Sequence, residues 1–332
     1  MAEFELAGQE MGSPVISMAG VLNDRPEAAI IEETEAFAAS SIGAITQGST
    51  TPLERVGNAA RYGGETDHWD PQTRLMTNAK GLPNIGLDRM QAIVPDLVAI
   101  GEQHGTPMIF SVSPEMPEEA GLEIGTPTEQ TLRLVQGILT VGGKLVEINV
   151  SCPNVIGPNG ERKPMVGYDP ESVDELTEAL IREFGDQLGI GIKVAPFMEG
   201  QEDVARAVTD TVVSSSMYEF VTTANTINGH RPLNDDGTPA FAQLPQDVGG
   251  RSGPGEWAEG RNQLRQWTEA VERNGADIEI VSGLGVGNGT EVARRLMLGA
   301  SAVGANTIFY RSADMGVTAE QVLSEYADEL DV

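Results

Sequence analysis

The chain contains one cysteine, Cys152, and no apolar run that approaches the roughly 18 residues a membrane-spanning helix needs. A single cysteine excludes an intrachain disulfide. It also excludes an iron–sulfur cluster held by this chain alone, because such clusters need several cysteine ligands. The N-terminus lacks the basic and then apolar segments of a secretory signal. We therefore expect a soluble cytoplasmic protein with no membrane partner.

Positive charge is also scarce. The 332 residues include 21 Lys and Arg against 50 Asp and Glu, which gives a formal net charge of −29. Such a balance argues against nucleic acid or anionic membranes as partners. The acidic residues are spread along the chain, as is typical of proteins that work in concentrated salt, where charge repulsion is screened within about 3 Å at 1 M. We expect a salt-adapted organism, and the charge says nothing about the reaction.

Short β-rich runs alternate with helical patterns along the whole chain, which predicts βα units around a parallel sheet. Several runs are almost continuously apolar, as expected for strands covered on both faces. The candidate strands are residues 14–18, 43–46, 107–112, 145–150, 191–195, 219–223, 278–282 and 302–304. We predict a single (β/α)8 TIM barrel domain over residues 1–332.

Helix-start signals and connection lengths add detail to this barrel. Thr126, Pro127 and Glu129 form a capping pattern, Asp169 precedes a second proline start, and a last helix is predicted over residues 318–330. Function in such barrels lies at the C-terminal ends of the strands. Three connections there, 47–87, 151–169 and 225–257, are long enough to predict functional loops.

Residues 147–154 (Glu-Ile-Asn-Val-Ser-Cys-Pro-Asn) carry the strongest chemical signal. A cysteine presented in a loop can take or give a proton, and the flanking Asn149 and Asn154 suit the amide edge of a heterocycle. The alternative is that the asparagines cap a turn and the thiol is simply buried. The three histidines, His68, His104 and His230, are too scattered for a metal triad, so we expect no metal.

Two further features favour an anionic cofactor. The glycine-rich residues 282–286 and 304–307 follow the seventh and eighth predicted strands, where TIM barrels commonly bind phosphate. Lys193 lies within an apolar strand, and a lysine directed into a barrel needs a partner or a ligand. The alternative for the glycine-rich residues is a pair of tight βα turns. The alternative for Lys193 is a surface lysine at a strand end.

The stretch around Cys152 resembles the signature of class 1 dihydroorotate dehydrogenases, in which this cysteine is the catalytic base. Class 2 enzymes have serine there and an N-terminal membrane-associated extension, and this sequence shows neither. Five other segments resemble the same family in order along the chain, so that the resemblance covers residues 13–312. These segments are residues 13–20, 78–84, 191–194, 225–227 and 249–253.

The resemblance implies FMN as the cofactor and a set of site residues. Those implied to hold the substrate are Asn78, Lys80, Gly81, Leu82, Asn149, Asn154, Asn225 and Thr226. Those implied to hold FMN are Ala19, Gly20, Gln47, Gly48, Asn149, Lys193, Thr223, Gly253, Gly283, Gly285, Ala305 and Asn306. The family usually has Gly-Thr where Ala305 and Asn306 stand, which puts the exact phosphate donors in doubt.

Gln47 is the main departure from the family, which usually has a lysine there that touches the flavin and helps to hold the substrate region. Lys80 stands where the family commonly has an apolar residue. Because the two loops are expected to adjoin, we hypothesise that the cation has moved from position 47 to position 80. The alternative is a solvated Lys80 and an uncharged substrate.

The reaction that the resemblance implies is the FMN-dependent oxidation of dihydroorotate to orotate in pyrimidine biosynthesis. Cys152 would remove the C5 proton while hydride passes from C6 to flavin N5. One alternative is a related FMN oxidoreductase acting on another dihydropyrimidine, such as dihydrouracil, and another is a non-redox phosphate-binding barrel. The electron acceptor stays open between fumarate, a quinone, and NAD reached through a partner subunit. The family resemblance also implies a homodimer.

Overall fold

The structure is a computed structural model that describes residues 4–20, 22, 25–115, 122–185, 189–316 and 318–330. Within these ranges, every helix is too short or too polar to cross a membrane. The strands are β1 Phe4–Leu6, β2 Gln9–Met11, β3 Val15–Ser17, β4 Ile45–Thr50, β5 Asp67–Asp70, β6 Leu75–Asn78, β7 Met108–Val112, β8 Leu145–Asn149, β9 Ile190–Lys193, β10 Phe220–Thr223, β11 Ile227–His230, β12 Gly249–Ser252, β13 Glu279–Ser282 and β14 Ala302–Ala305.

The predicted parallel barrel is confirmed. Eight strands form one sheet in the order β3-β14-β13-β10-β9-β8-β7-β4, and each predicted strand overlaps one of them. The two ends of this sheet meet through a parallel bridge between Ile16 and Ala44. There Ser17 N donates to Ala44 O at 3.1 Å, and Gly43 N donates to Val15 O at 2.8 Å. This closure brings the C-terminal ends of all eight strands to one face.

Helices surround the barrel and cover its outer apolar side chains. They are α1 Glu27–Ala38, α2 Gly57–Tyr62, α3 Gly86–His104, α4 Pro127–Thr140, α5 Pro170–Phe184, α6 Glu202–Ser214, α7 Trp257–Asn274, α8 Gly289–Met297, α9 Thr307–Met315, α10 Ala319–Ser324 and α11 Tyr326–Leu330. The largest core cluster lies between these helices and the strands, and its fully buried Trp267 belongs to α7.

The helix starts agree with the sequence patterns, and the last helix differs. Thr126 caps α4 with both reciprocal hydrogen bonds to Glu129. The helix predicted over 318–330 is two short helices, α10 and α11, separated by Glu325. A Cβ atom on Gly289 of α8 would lie 2.6 Å from Glu325 Cβ. The helical conformation is therefore interrupted at the point where α8 approaches Glu325.

The long connections carry more regular structure than predicted. Residues 47–87 contain α2, β5 and β6, and residues 225–257 contain β11 and β12. The four strands form one antiparallel sheet in the order β11-β12-β6-β5, in which Gly250 pairs with Asn78. The polar composition of these loops concealed the strands, since they pair with each other and not with the barrel. We call this sheet the roof.

The N-terminal end of the barrel is filled by the hairpin β1–β2. Leu6 and Met11 are 1% and 6% exposed and pack against barrel residues including Ile109 and Phe220. The backbone N of Ala7 also donates to the carboxylate of Glu279 in β13. The hairpin therefore belongs to the barrel core.

Replacing Leu6 with alanine removes a buried side chain from this plug, so we expect the free energy of unfolding to fall by about 2 to 5 kcal/mol. Urea or thermal unfolding measures it. Leu53→Ala is the matched control, because Leu53 is 43% exposed. Equal stability of the two variants would contradict the role of the hairpin in the core.

Candidate active site

A cavity of about 360 Å³ lies at the C-terminal ends of the strands, beneath the roof. Its walls come from the ends of β3, β8, β9, β10, β13 and β14, from the roof, and from the loop after β6. The side chains that line it include Met18, Ser49, Asn149, Cys152 and Lys193. Polar groups therefore converge on one enclosed space, which is typical of a binding or catalytic site.

Asn149 shapes the turn that presents Cys152. Its Oδ1 accepts from Ser151 N at 3.1 Å and from Ser151 Oγ at 2.8 Å, while its Nδ2 donates to Ser49 Oγ at 2.8 Å. The turn-capping alternative is thus correct for this side chain, and Asn149 also lines the cavity.

Two side chains from α2 and one from a later part of the same loop, Arg162, hold the backbone near Cys152 in place. Asn58 Nδ2 donates to Asn154 O at 3.0 Å, and Arg162 Nη1 donates to Pro153 O at 2.8 Å. Arg61 Nη1 donates to Ile156 O at 2.7 Å. These bonds fix the loop backbone after the thiol, and Asn225 Nδ2, which donates to Ser151 O at 3.2 Å, fixes the residue before it.

Four of the residues predicted to hold the substrate are joined by hydrogen bonds in two separate sets, and we call them the asparagine group: Asn78, Asn154, Asn225 and Thr226. Asn154 Nδ2 donates to Asn78 Oδ1 at 2.9 Å, which joins the Cys152 loop to the roof. Asn225 Nδ2 donates to Ser151 Oγ at 3.1 Å, and Thr226 N donates to Asn225 Oδ1 at 2.8 Å. Asn154 Oδ1 and Thr226 Oγ1 are buried without a hydrogen-bond partner. These two groups suit the amide edge of a bound ring.

Cys152 is 9% exposed, and its surroundings disfavour the thiolate. Burial and the negative charge of Glu115 raise the pKa of the thiol to about 11, although a hydrogen bond from the backbone of Asn154 and the charges of Lys163 and Arg55 oppose the shift. Glu115 is itself buried, and its Oε2 lies 3.2 Å from Lys163 Nζ. The thiol is therefore protonated at neutral pH in this arrangement.

Lys193 is 3% exposed and lines the cavity, so it is not a surface lysine. Its Nζ lies 4.0 Å from Glu147 Oε1. Glu147 also accepts from Ser111 Oγ at 2.8 Å and from Thr222 Oγ1 at 2.7 Å, which holds the carboxylate in place. The result is a buried cation at the floor of the cavity.

The ends of β13 and β14 form a corner suited to a phosphate group. Gly285, Asn306 and Thr307 line it, and α9 begins there with its N-terminus. Arg295, fully buried, donates to the carbonyl oxygens of Gly283 and Leu284, which fixes the loop. Asn306 Oδ1 is buried without a hydrogen-bond partner.

The cavity fits FMN by the chemistry of its walls. Met18, Met76 and Leu284 offer apolar surface for a flat ring, Lys193 offers positive charge beside it, and the β13–β14 corner offers backbone donors for the phosphate. The group needs both a flat apolar slot and an anion site, and the described residues supply both in one cavity.

Most of the residues predicted for the site line this cavity. They are Ala19, Gly20, Asn78, Lys80, Gly81, Leu82, Asn149, Cys152, Asn154, Lys193, Asn225, Thr226, Gly253, Gly285, Ala305 and Asn306. Four of the predicted residues do not line the cavity: Gln47, Gly48, Thr223 and Gly283. The residues that follow them in the chain, Ser49, Ala224 and Leu284, line it instead.

Gln47 lies behind the wall for a visible reason. It is 1% exposed, and its Nε2 donates to Leu22 O at 3.0 Å, so its side chain points out of the cavity. Gly48 is equally enclosed, since a Cβ atom there would lie 2.3 Å from Ser111 O. Its Oε1 is buried without a hydrogen-bond partner, and the predicted contact of Gln47 with the flavin stays a prediction.

Lys80 lies at the cavity mouth. The segment that follows β4 contacts the loop that follows β6, because Thr51 N donates to Asn84 Oδ1 at 3.1 Å. The ammonium of Lys80 lies 3.2 Å from Asp67 Oδ2 and 5.4 Å from the centre of the Tyr310 ring. Lys80 therefore has a carboxylate partner.

Sequence reasoning missed several side chains that line the cavity, including Asp67, Met76, Tyr310 and Arg311. Asp67 and Met76 lie in the roof, whose pairing the loop composition did not signal. Tyr310 and Arg311 lie on α9. Their residue types gave no indication of a binding site, and only the position of this helix after the eighth strand could have pointed to them.

A family model described as dihydroorotate dehydrogenase matches residues 1–329. Dihydroorotate dehydrogenase (fumarate) of Trypanosoma cruzi (strain CL Brener) is 26% identical over 76% of this chain and 70% of its own length. The catalytic subunit of dihydroorotate dehydrogenase B (NAD(+)) is 32% identical in Methanopyrus kandleri, over 68% of this chain and 62% of that protein. The same subunit from Staphylococcus carnosus is 27% identical over 98% and 90%.

Alkylation by iodoacetamide reports on the Cys152 thiolate alone, because the chain has no other cysteine. With a thiol pKa of about 11, the rate should rise roughly tenfold per pH unit from pH 7 to pH 10, since only the thiolate reacts. Cys152→Ser, which should not react, is the control.

Glu115→Gln removes the negative charge that opposes ionisation, so the alkylation profile of this variant should move to lower pH. A thiol that titrates near its ordinary value in the parent protein, or a profile that Glu115→Gln leaves in place, would contradict this account of the site.

Proposed function

Because the chain belongs to the dihydroorotate dehydrogenase family, we propose that it oxidises dihydroorotate to orotate in pyrimidine biosynthesis, with FMN as cofactor. The chain is thus a flavin-dependent oxidoreductase that acts on a CH–CH donor. The observation that carries the proposal is Cys152 placed in the same cavity as the asparagine group and the buried Lys193.

We assign the substrate ring to the space between Cys152 and the roof. Asn78, Asn154, Asn225 and Thr226 offer amide and hydroxyl groups to its polar edges. The backbone at Gly81 and Leu82, with Lys80, would hold the carboxylate. We assign the flavin to the slot formed by Ala19, Gly20, Gly253 and Lys193, with its phosphate at Gly285, Ala305 and Asn306.

In the proposed reaction, Cys152 Sγ removes the C5 proton of dihydroorotate. FMN held in this slot would supply the acceptor for the hydride that leaves C6. Lys193 would place a positive charge beside its ring system and so favour negative charge there. Because the pKa of the Cys152 thiol is raised, the thiol must lose its own proton before Cys152 can remove the proton from C5. A substrate that displaces water from the cavity changes the free energy of this ionisation.

Anaerobic mixing of the holoenzyme with dihydroorotate, followed by flavin absorbance, tests the proposal directly. We expect bleaching by dihydroorotate at a higher second-order rate than by dihydrouracil. The protein should also purify yellow, and a colourless preparation that takes up no FMN would contradict the assignment of the cofactor.

A second candidate function is the oxidation of an uncharged dihydropyrimidine. The observation that favours it is Lys80 paired with Asp67, combined with Gln47 turned out of the cavity. Faster bleaching by dihydrouracil in the same experiment would support this candidate over dihydroorotate. The other alternative was a non-redox phosphate-binding barrel. Because the chain belongs to an oxidoreductase family, no observation favours that alternative.

Cys152→Ala should leave FMN bound and slow its reduction by substrate by at least about 100-fold, since general base catalysis contributes about that much or more. Stopped-flow single-turnover bleaching measures it, and the flavin spectrum of the variant is the control for loading. Unchanged single-turnover reduction would remove Cys152 from the role of base.

Four finer expectations remain part of the proposal. A homodimer and a cytoplasmic location follow from the family resemblance and the composition. The electron acceptor stays open between fumarate, a quinone, and NAD through a partner subunit. The acidic composition supports a salt-adapted enzyme, which activity measured against KCl concentration would test.

A further inference from the structure

Asp67 lines the mouth of the cavity and pairs with Lys80. It lies at the start of β5, opposite Asn78 of β6, so the roof places both side chains at the same edge of the site. Asp67 Oδ2 is 3.2 Å from Lys80 Nζ, and the two side chains are 31% and 32% exposed. Tyr310 borders the ammonium on another side, at 5.4 Å from its ring centre.

Among the described residues, the cations that line the cavity are Lys80, Lys193 and Arg311, and each has a carboxylate nearby. Lys193 faces Glu147 at 4.0 Å on the floor, and Arg311 faces Asp314 at 3.4 Å on α9. Of these three, Lys80 is the residue next to Gly81 and Leu82, the backbone assigned to the substrate carboxylate. A carboxylated ring that binds at this backbone would compete with Asp67 for Lys80.

We propose that Asp67 is a specificity-determining residue, which lowers the preference of the site for an anionic ring by neutralising Lys80. This proposal rests on the proposed function and deepens it. With Asp67 ionised, the mouth carries no net charge from this pair, and a neutral dihydropyrimidine meets no unpaired ammonium there. Removal of the Asp67 charge leaves Lys80 available to a substrate carboxylate.

The size of the effect follows from the exposure of the pair. An ion pair that is about one third exposed is screened by water, and such pairs contribute at most about 1 kcal/mol. The expected change is therefore about three- to fivefold in relative affinity. A change of this size is large enough to alter a preference between two rings that differ by one carboxylate.

Equilibrium titration of the holoenzyme with orotate and with uracil, followed by the flavin spectrum, measures the preference. The quantity of interest is the Kd for uracil divided by the Kd for orotate. In Asp67→Asn this ratio should rise about three- to fivefold, mostly through tighter orotate binding. Glu102→Gln is the matched control, because Glu102 pairs with Lys144 at 2.9 Å and lines no part of this cavity.

A double-mutant cycle with Lys80→Met tests the route of the effect. In the Lys80→Met background, Asp67→Asn should raise the ratio by clearly less than it does in the parent. Asp67→Ser serves as a second neutral variant, with the flavin spectrum as the check on loading. An unchanged ratio in both neutral variants would overturn the proposal, and so would an equal rise with and without Lys80.

The failure of this proposal is distinguishable from the failure of the proposed function. If neither dihydroorotate nor dihydrouracil bleaches the flavin of the parent enzyme, the proposed reaction is wrong. If dihydroorotate bleaches the flavin but the ratio of the Kd for uracil to the Kd for orotate does not change when the charge at position 67 is removed, only the role proposed for Asp67 is wrong.

Discussion

The pairing of β6 with β12 is the constraint on which the site depends. These strands belong to two connections that are far apart in sequence, and their hydrogen bonds hold both connections above the barrel. Gly250 is needed at this crossing, because a Cβ atom there would lie 2.0 Å from Thr226 Oγ1 and 3.3 Å from Asn154 Nδ2. The same crossing puts Asn78 within reach of Asn154, so one backbone contact aligns three elements.

Two buried ion pairs lie in the site of this strongly acidic protein. Glu147 with Lys193, and Glu115 with Lys163, place opposite charges at the floor and beside the thiol. Buried pairs of this kind give little net stability, because desolvation offsets their attraction. At Cys152 burial is the main cause of the raised pKa, Glu115 adds to it, and Lys163 opposes it.

The sequence predicted the barrel well because its signals are local. Apolar runs marked the strands, and the proline starts at 127 and 170 marked two helices. The loop around Cys152 was identifiable because its residue types are chemically distinctive. The roof was not, since its strands are short and polar and gain stability only from each other. Gln47 and Gly48 were predicted as cavity residues on resemblance, whereas the position of the Gln47 side chain depends on a hydrogen bond to the backbone oxygen of Leu22, 25 residues away in sequence.

The hairpin β1–β2 closes the end of the barrel opposite the cavity. Leu6 and Met11 fill that end, so the described residues leave no passage to the interior from the N-terminal side. The cavity opens at the other end, where the roof and Lys80 lie. A small oxidant that enters the cavity would therefore use the same opening as the substrate, whereas an oxidant that is a protein or a second cofactor would receive electrons without entering.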